Sequence, residues 1–255
     1  MRTASHNSVV LDQYATRASA YVNSAVHAAG QELDLIAQIA ANQRGAIALD
    51  VGCGGGHLAY RLAPLVSQVV ACDLTESMLG VVVEQAKLRG QSNIATRKAA
   101  AESLPFETAT FDVVATRFSA HHWHAFAEGI AEMARVLKPG GLALMSDVVS
   151  PVVSLLDTWL QTLELLRDPS HVRDGSTTEW NAALSAAGLA IERIEHFRLR
   201  LDFATWVARM NTPEPQITAI RMLQARAASA VRDYFEMEAD GSFTVDTAVF
   251  VARKT

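Results

Sequence analysis

Residues 50–56 read Asp50-Val51-Gly52-Cys53-Gly54-Gly55-Gly56, between a short apolar run, AIALD (46–50), and a helix-like run, HLAYRLAPL (57–65). A strand that ends in an acid, turns through glycines and enters a helix opens an α/β sheet whose ligands bind outside the carboxyl ends of the strands. Glycines at such a turn let the backbone approach a ligand and turn sharply. The spacing weighs against two common glycine-rich sites. The dinucleotide pattern G-x-G-x-x-G/A needs Gly or Ala at its sixth position, where His57 stands, and no Gly-Lys-Ser/Thr follows to complete a P-loop.

Outward from this turn, apolar runs alternate with helical ones. QVVACD (68–73) reads as a second strand, again ending in an acid, and TESMLGVVVEQAKLRG (75–90) as a helix with Thr75 as N-cap and Gly90 as stop. NIATRKA (93–99) and FDVVATR (111–117) read as the third and fourth strands. AFAEGIAEMARVLKPGG (125–141) reads as a helix closed by Lys138-Pro139-Gly140-Gly141, and GLALMSDVV as the fifth strand. LAIERIEHFRLRL (189–201) and TVDTAVFVARK (244–254) read as the sixth and seventh. Upstream, QYATRASAYVNSAVHAA reads as a helix with Tyr14 and Tyr21 on one face, and QELDLIAQIAANQRG as a clearer one. Helical runs also fill 151–188, with Ser176 and Glu179 at capping-box spacing, and 199–243.

The expected fold is therefore α/β, a Rossmann-like, mostly parallel seven-stranded sheet with helices on both faces and helical insertions forming a lid. The expected organisation is a single domain over 1–255: N-terminal helices in 1–45, a ligand-binding core in 46–150, and helical insertions in 151–188 and 199–243.

Composition narrows the function classes. The chain has 255 residues, half of them hydrophobic, and a net charge of −5. That balance does not attract phosphate backbones, so no nucleic-acid partner is expected. No apolar run is long enough to span a membrane. Two cysteines, Cys53 and Cys72, are too few for a disulfide framework. With no apolar signal-peptide core at the N-terminus, a reduced, cytoplasmic protein is expected. A small-molecule substrate is the expected partner, and a homodimer is the assembly left open.

Four segments in order carry a resemblance: DVGCGGG (50–56), ACDLTESML (71–79), AESLPFETATFDVV (101–114) and RVLKPGG (135–141). Together they resemble class I S-adenosylmethionine-dependent methyltransferases. The chain is similar in particular to the quinone-biosynthesis-like (methyltransferase type 11) group and its small bacterial relatives, which share the AHH (120–122) and RDPSHVR (167–173) stretches. The resemblance implies S-adenosylmethionine as cofactor and S-adenosylhomocysteine as product. It implies that Asp50 and the turn Gly52-Cys53-Gly54 hold the methionine moiety and that Asp73 holds the ribose. Leu74 and Met78 then lie near the adenosine, Ala101 and Glu102 border the adenine, and Arg117 lines the crevice. Where relatives often carry an acid, this chain has Ala100. Tyr14 and Tyr21 match an N-terminal aromatic pattern that folds over the cofactor in relatives.

The segment SAHHWH (119–124) follows the fourth strand, beside the expected methyl position. Histidine exchanges a proton near neutral pH, which makes His121 or His122 the candidate catalytic base, or the group that positions the acceptor. Trp123, His171 and Arg173 are candidate substrate contacts. His57 reads as structural. No metal is expected, because three histidines within four residues cannot all point one way and no carboxylate cluster accompanies them in sequence. The expected activity is methyl transfer to a small molecule, aromatic or quinone-like. The alternatives are a catalytically inactive cofactor-binding protein and a nicotinamide-dependent oxidoreductase.

Overall fold

The computed structural model describes residues 5–15 and 29–255. Seven strands form one sheet: β1 (Ile47–Val51), β2 (Gln68–Asp73), β3 (Ile94–Lys98), β4 (Phe111–Arg117), β5 (Leu137–Val148), β6 (Leu189–Leu201) and β7 (Phe243–Lys254). Their order is β3-β2-β1-β4-β5-β7-β6. The first five are parallel, and β7 runs antiparallel between β5 and β6. The chain moves outward from β1 to β3, then returns to β4 on the other side of β1. Between β1 and β4 lies the switch point, where open α/β sheets bind ligands.

Alternation along the strands builds a core on each face. Val113 and Ala115 of β4 join Ala48, Val69 and Leu144 on one face, under α2 (Gln31–Ala40), α3 (His57–Leu62) and α4 (Glu76–Leu88). Val114 turns the other way, with Leu49, Met145 and Phe250, under α5 (Phe126–Val136) and α7 (Thr177–Ala186). A third cluster lies beyond the sheet's end. Leu156, Leu160 and Leu163 of α6 (Ser154–Arg167) pack with Trp206 of α8 (Phe203–Arg209), Ile220 of α9 (Glu214–Ala225), Val231 of α10 (Ser229–Tyr234) and Phe243 of β7. The remaining helix, α1 (His6–Tyr14), has no buried residue.

Two boundaries differ from the sequence reading. Lys138-Pro139-Gly140-Gly141 does not lie outside the strand. β5 already begins at Leu137, which pairs with Phe111, and an irregularity before the Val113–Leu142 pair absorbs the extra residues. Within the helical chain expected over 199–243, the stretch from about Pro215 to Tyr234 reads as one run but is two helices, α9 and α10, and the Arg232 guanidinium donates to the Ala225 and Ala227 carbonyls at their junction. The helix expected across Tyr21 lies outside the described residues. Among the described residues, no helix is long and apolar enough to cross a membrane.

Candidate active site

A cleft opens over the carboxyl ends of β1, β2, β4 and β5. Its empty space measures about 1200 Å³, open solvent at its mouth included, and its walls run from Gly52, Gly54 and Asp73 to Leu199, Leu201 and Trp206. Asn7, Val10 and Tyr14 of α1 cover it.

At the glycine end, the turn is held from below. Asp73 accepts the Gly54 N–H at 2.9 Å and the Thr75 N–H at 2.8 Å, so one carboxylate ties the glycine turn to the entry of α4. Burial raises its pKa despite these bonds. Gly52 and Gly54 both have positive φ, 69° and 49°. A Cβ on Gly52 would meet Ser119 Oγ at 1.8 Å, whereas one on Gly54 would enter open space. Asp50 lies behind the turn rather than on the cleft wall. It is 1% exposed, neither carboxylate oxygen accepts a hydrogen bond of ordinary geometry, and burial lifts its pKa to about 7 against the weaker opposing pull of the Ala59 N–H and the Arg117 charge. A buried carboxylate without a partner carries a desolvation cost that a nearby cation would remove.

The other residues expected at the cofactor divide. Leu74, Met78, Ala101, Glu102 and Tyr14 line the cleft. Cys53 does not: its N–H bonds the Cys72 carbonyl, its side chain packs into the core, and both cysteines are free thiols. Arg117 is turned away into a buried ion pair with Glu32 of α2, at 2.6 Å. His57 begins α3 with its ring edge-on to Tyr60, off the cleft wall. Tyr21 lies outside the described residues.

The two histidines have different settings. Both nitrogens of His122 are engaged, Nε2 by the Tyr14 hydroxyl at 2.8 Å and Nδ1 by the Ser170 carbonyl at 3.1 Å. Burial and the neighbouring charge of His121 push its pKa down to about 3. It is a strut for the wall. His121 holds Asp147 through Nδ1 at 2.6 Å, leaving Nε2 without a hydrogen-bond partner among the described residues on a side chain that lines the cleft. Burial alone would lower its pKa, but the charge and hydrogen bond of Asp147 outweigh that and raise it to about 9.

The RDPSHVR segment corrects two expectations. His171 is buried off the cleft, its Nε2 on Gln161 Oε1 at 2.9 Å, and burial takes its pKa to about 3. Arg173 pairs with Glu179 and Asp157 at the surface side of the wall. Trp123 does line the cleft, with its Nε1 donating to Ser119 Oγ at 3.1 Å, so it supports the glycine turn. Sequence reasoning missed Glu164, Arg167, Asp174 and Arg209, which form the polar floor of the far end. Helical spacing marks Glu164 and Arg167 as one face of α6, but nothing local marks that face as inward. The carboxylates expected to be absent near the histidines are present in space: ligand atoms of His121, Asp147 and Asp174 lie within 4.8 Å of one another.

An open sheet with a switch point at β1/β4, a glycine turn over an orphaned acid and a second strand-end acid define an adenosyl-ligand site. Residues 49–145 match the family described as a methyltransferase domain. The chain belongs to the class I S-adenosylmethionine-dependent methyltransferases, and S-adenosylmethionine is its methyl donor. The chain is similar to the uncharacterized protein YafE of Escherichia coli K12, with 45% identity over 80% of this chain and 98% of that one. It is also similar to the uncharacterized methyltransferase YcgJ of Bacillus subtilis, with 34% identity over 87% of this chain and 88% of the relative. The crystal structure of YcgJ superposes with a TM-score of 0.84, covering 88% of this chain and 97% of that one at 32% identity. The ubiquinone/menaquinone biosynthesis C-methyltransferase UbiE of Francisella philomiragia is 36% identical over 45% of this chain and 47% of its own. The nicotinamide-dependent alternative is thereby set aside.

Proposed function

We propose that this methyltransferase acts on a small molecule with an apolar, ring-bearing body and a polar edge, of the aromatic or quinone-like kind. The observation that carries this reading is the continuity of one cleft. Its glycine end suits a nucleoside ligand, and its far end joins apolar walls (Val148, Leu199, Leu201, Trp206) to a polar floor. The similarity to UbiE supports the quinone-like acceptor.

The glycine end fits S-adenosylmethionine. The unpartnered Asp50 answers an ammonium group from behind the turn, the open space above Gly54 lets backbone approach the methionine part, and Asp73 has lone pairs left for ribose hydroxyls. When bound, the cofactor supplies a methyl group already activated by its sulfonium. What the chain must add is alignment, which contributes about 7–11 kcal/mol to such reactions. His121 meets the acceptor's reacting group, with Asp147 fixing its ring. His122 and Tyr14 hold that wall in place. Helices α1, α6 and α8 act as the lid that keeps water out.

Calorimetry with S-adenosylmethionine and S-adenosylhomocysteine tests the cofactor end. Asp73→Ala is expected to weaken binding tenfold or more, about 1.4 kcal/mol. A panel of phenols, hydroquinones and amines, read by S-adenosylhomocysteine release, tests the acceptor. Turnover confined to amines would overturn the quinone-like reading. Tight cofactor binding with no turnover across a broad panel would favour a binding protein instead.

A further inference from the structure

Three segments far apart in sequence meet beside the acceptor end of the cleft, where His121 and Asp174 line the wall and Asp147 borders a smaller adjoining pocket. His121 comes from the 3-10 turn Ala120–His122 after β4, Asp147 from the end of β5, and Asp174 from the loop between α6 and α7. Asp147 is fully engaged: its oxygens accept from His121 Nδ1 and from the backbone N–H groups of Ala120 and Val148. Asp174 is not. It is 2% exposed, it lines the cleft, and its Oδ2 has no hydrogen-bond partner. Its backbone is fixed by Gln161, which accepts the Asp174 N–H and donates to the Asp174 carbonyl, so the carboxylate is held in this position. The nearest basic group, His171 Nε2, is 3.9 Å away and already bonded to Gln161. Glu164, also on the cleft wall and 6% exposed, adds a further carboxylate, paired with Arg167 at 2.9 Å.

Burying a carboxylate without a partner is costly, and placing it beside two others is more so. The missing partner is small and positively charged. We propose that His121, Asp147 and Asp174 form a binding site for a divalent cation at the acceptor end of the cleft. One imidazole and hard carboxylate oxygens select Mn²⁺ or Zn²⁺ over thiophilic ions. Ligand bonds of about 2.0–2.2 Å put groups on opposite sides of an ion about 4.4 Å apart. The three ligand atoms lie within 4.8 Å of one another, so small side-chain movements suffice to close them onto an ion. The cation takes the place of two protons, the one between His121 and Asp147 and the one that burial and the neighbouring carboxylates keep on Asp174; both leave to solvent, and Asp174 Oδ2 gains its partner. Its open positions face the cleft and suit an acceptor with an ionisable oxygen or two adjacent ones. The inference rests on the proposed acceptor end and specifies it: His121 meets the acceptor through the ion.

The test uses the full chain, stripped with chelator and titrated with Mn²⁺ and Zn²⁺ by calorimetry and, for Mn²⁺, by electron paramagnetic resonance. One saturable ion per chain is expected, with nitrogen coupling to bound Mn²⁺ that His121→Gln abolishes. Asp174→Asn, nearly isosteric, is expected to weaken the ion at least tenfold while S-adenosylmethionine binding stays within twofold. No saturable binding to wild type, or equal affinity in Asp174→Asn, overturns the site. Cofactor titration of the same samples separates the two failures. A stripped chain that binds S-adenosylmethionine but no ion loses only the cation site, whereas a folded chain that binds neither loses the cofactor end as well.

Discussion

Asp50 illustrates how a functional residue works against the fold. Burial lifts its pKa from an ordinary 3.8 to about 7, so the native chain keeps a proton that the unfolded chain has lost. Stability from this group is therefore lost as pH rises from about 4 to 7, and above that range the loss is complete. Ligand-free Asp50→Asn is expected to be more stable than the parent by roughly 1–3 kcal/mol at pH 8, with the gap narrowing as pH falls and closing near pH 4, in paired thermal melts. The same variant should bind S-adenosylmethionine at least about tenfold more weakly. Equal melting of the two at pH 8 would show that the carboxylate finds a partner without ligand. The glycines part company in the same way. Gly54→Ala faces open space and pays only for its left-handed backbone, about 1–2 kcal/mol, whereas Gly52→Ala must also displace Ser119. Denaturant midpoints should rank Gly52→Ala well below Gly54→Ala.

Elements around the cleft are fixed by local devices of unequal visibility. Ser176 caps α7 in a complete capping box, its Oγ accepting the Glu179 N–H while Glu179 accepts the Ser176 N–H. This was legible in sequence, because the spacing itself is the signal. Ser176→Ala should cost about 1 kcal/mol in chemical denaturation. It should also raise hydrogen exchange in 168–176, since Glu179 anchors Arg173 of the same loop. Unchanged exchange there would mean that Gln161 alone holds the loop. By contrast, the break between α9 and α10, where Arg232 donates to the Ala225 and Ala227 carbonyls, carries no composition cue. The position of α1 over the cleft was implied by the resemblance, through Tyr14, but not by periodicity. It has no buried residue and is tied by polar contacts such as Gln13 to the Met210 carbonyl and His6 to the His122 carbonyl, so hydrophobic periodicity could not place it.

At the scale of the molecule, the lid has its own core. Leu160 is fully buried in the cluster of α6, α8, α9 and α10, apart from the two clusters on the sheet faces. Leu160→Ala should cost about 3 kcal/mol, concentrated in the exchange rates of α6 and α8. Acceptor KM should rise while cofactor affinity stays within twofold. A parallel loss of cofactor affinity would show that lid and sheet open as one unit. The methyl donor was legible through the resemblance of four motifs to a known family, whereas the alternation of seven strands with helices, the glycine turn and Asp73 could be read from the sequence directly. Each is written in short spacings that backbone geometry imposes locally. Only the tertiary structure decided that Asp50 lies behind the turn, that Arg117 turns to Glu32 rather than to the cleft, and that His121 rather than His122 keeps a nitrogen free. It alone brought Asp147 and Asp174 to His121. Those facts depend on which distant side chains share one buried volume, and that is set by the packing of whole elements, not by the order of neighbours along the chain.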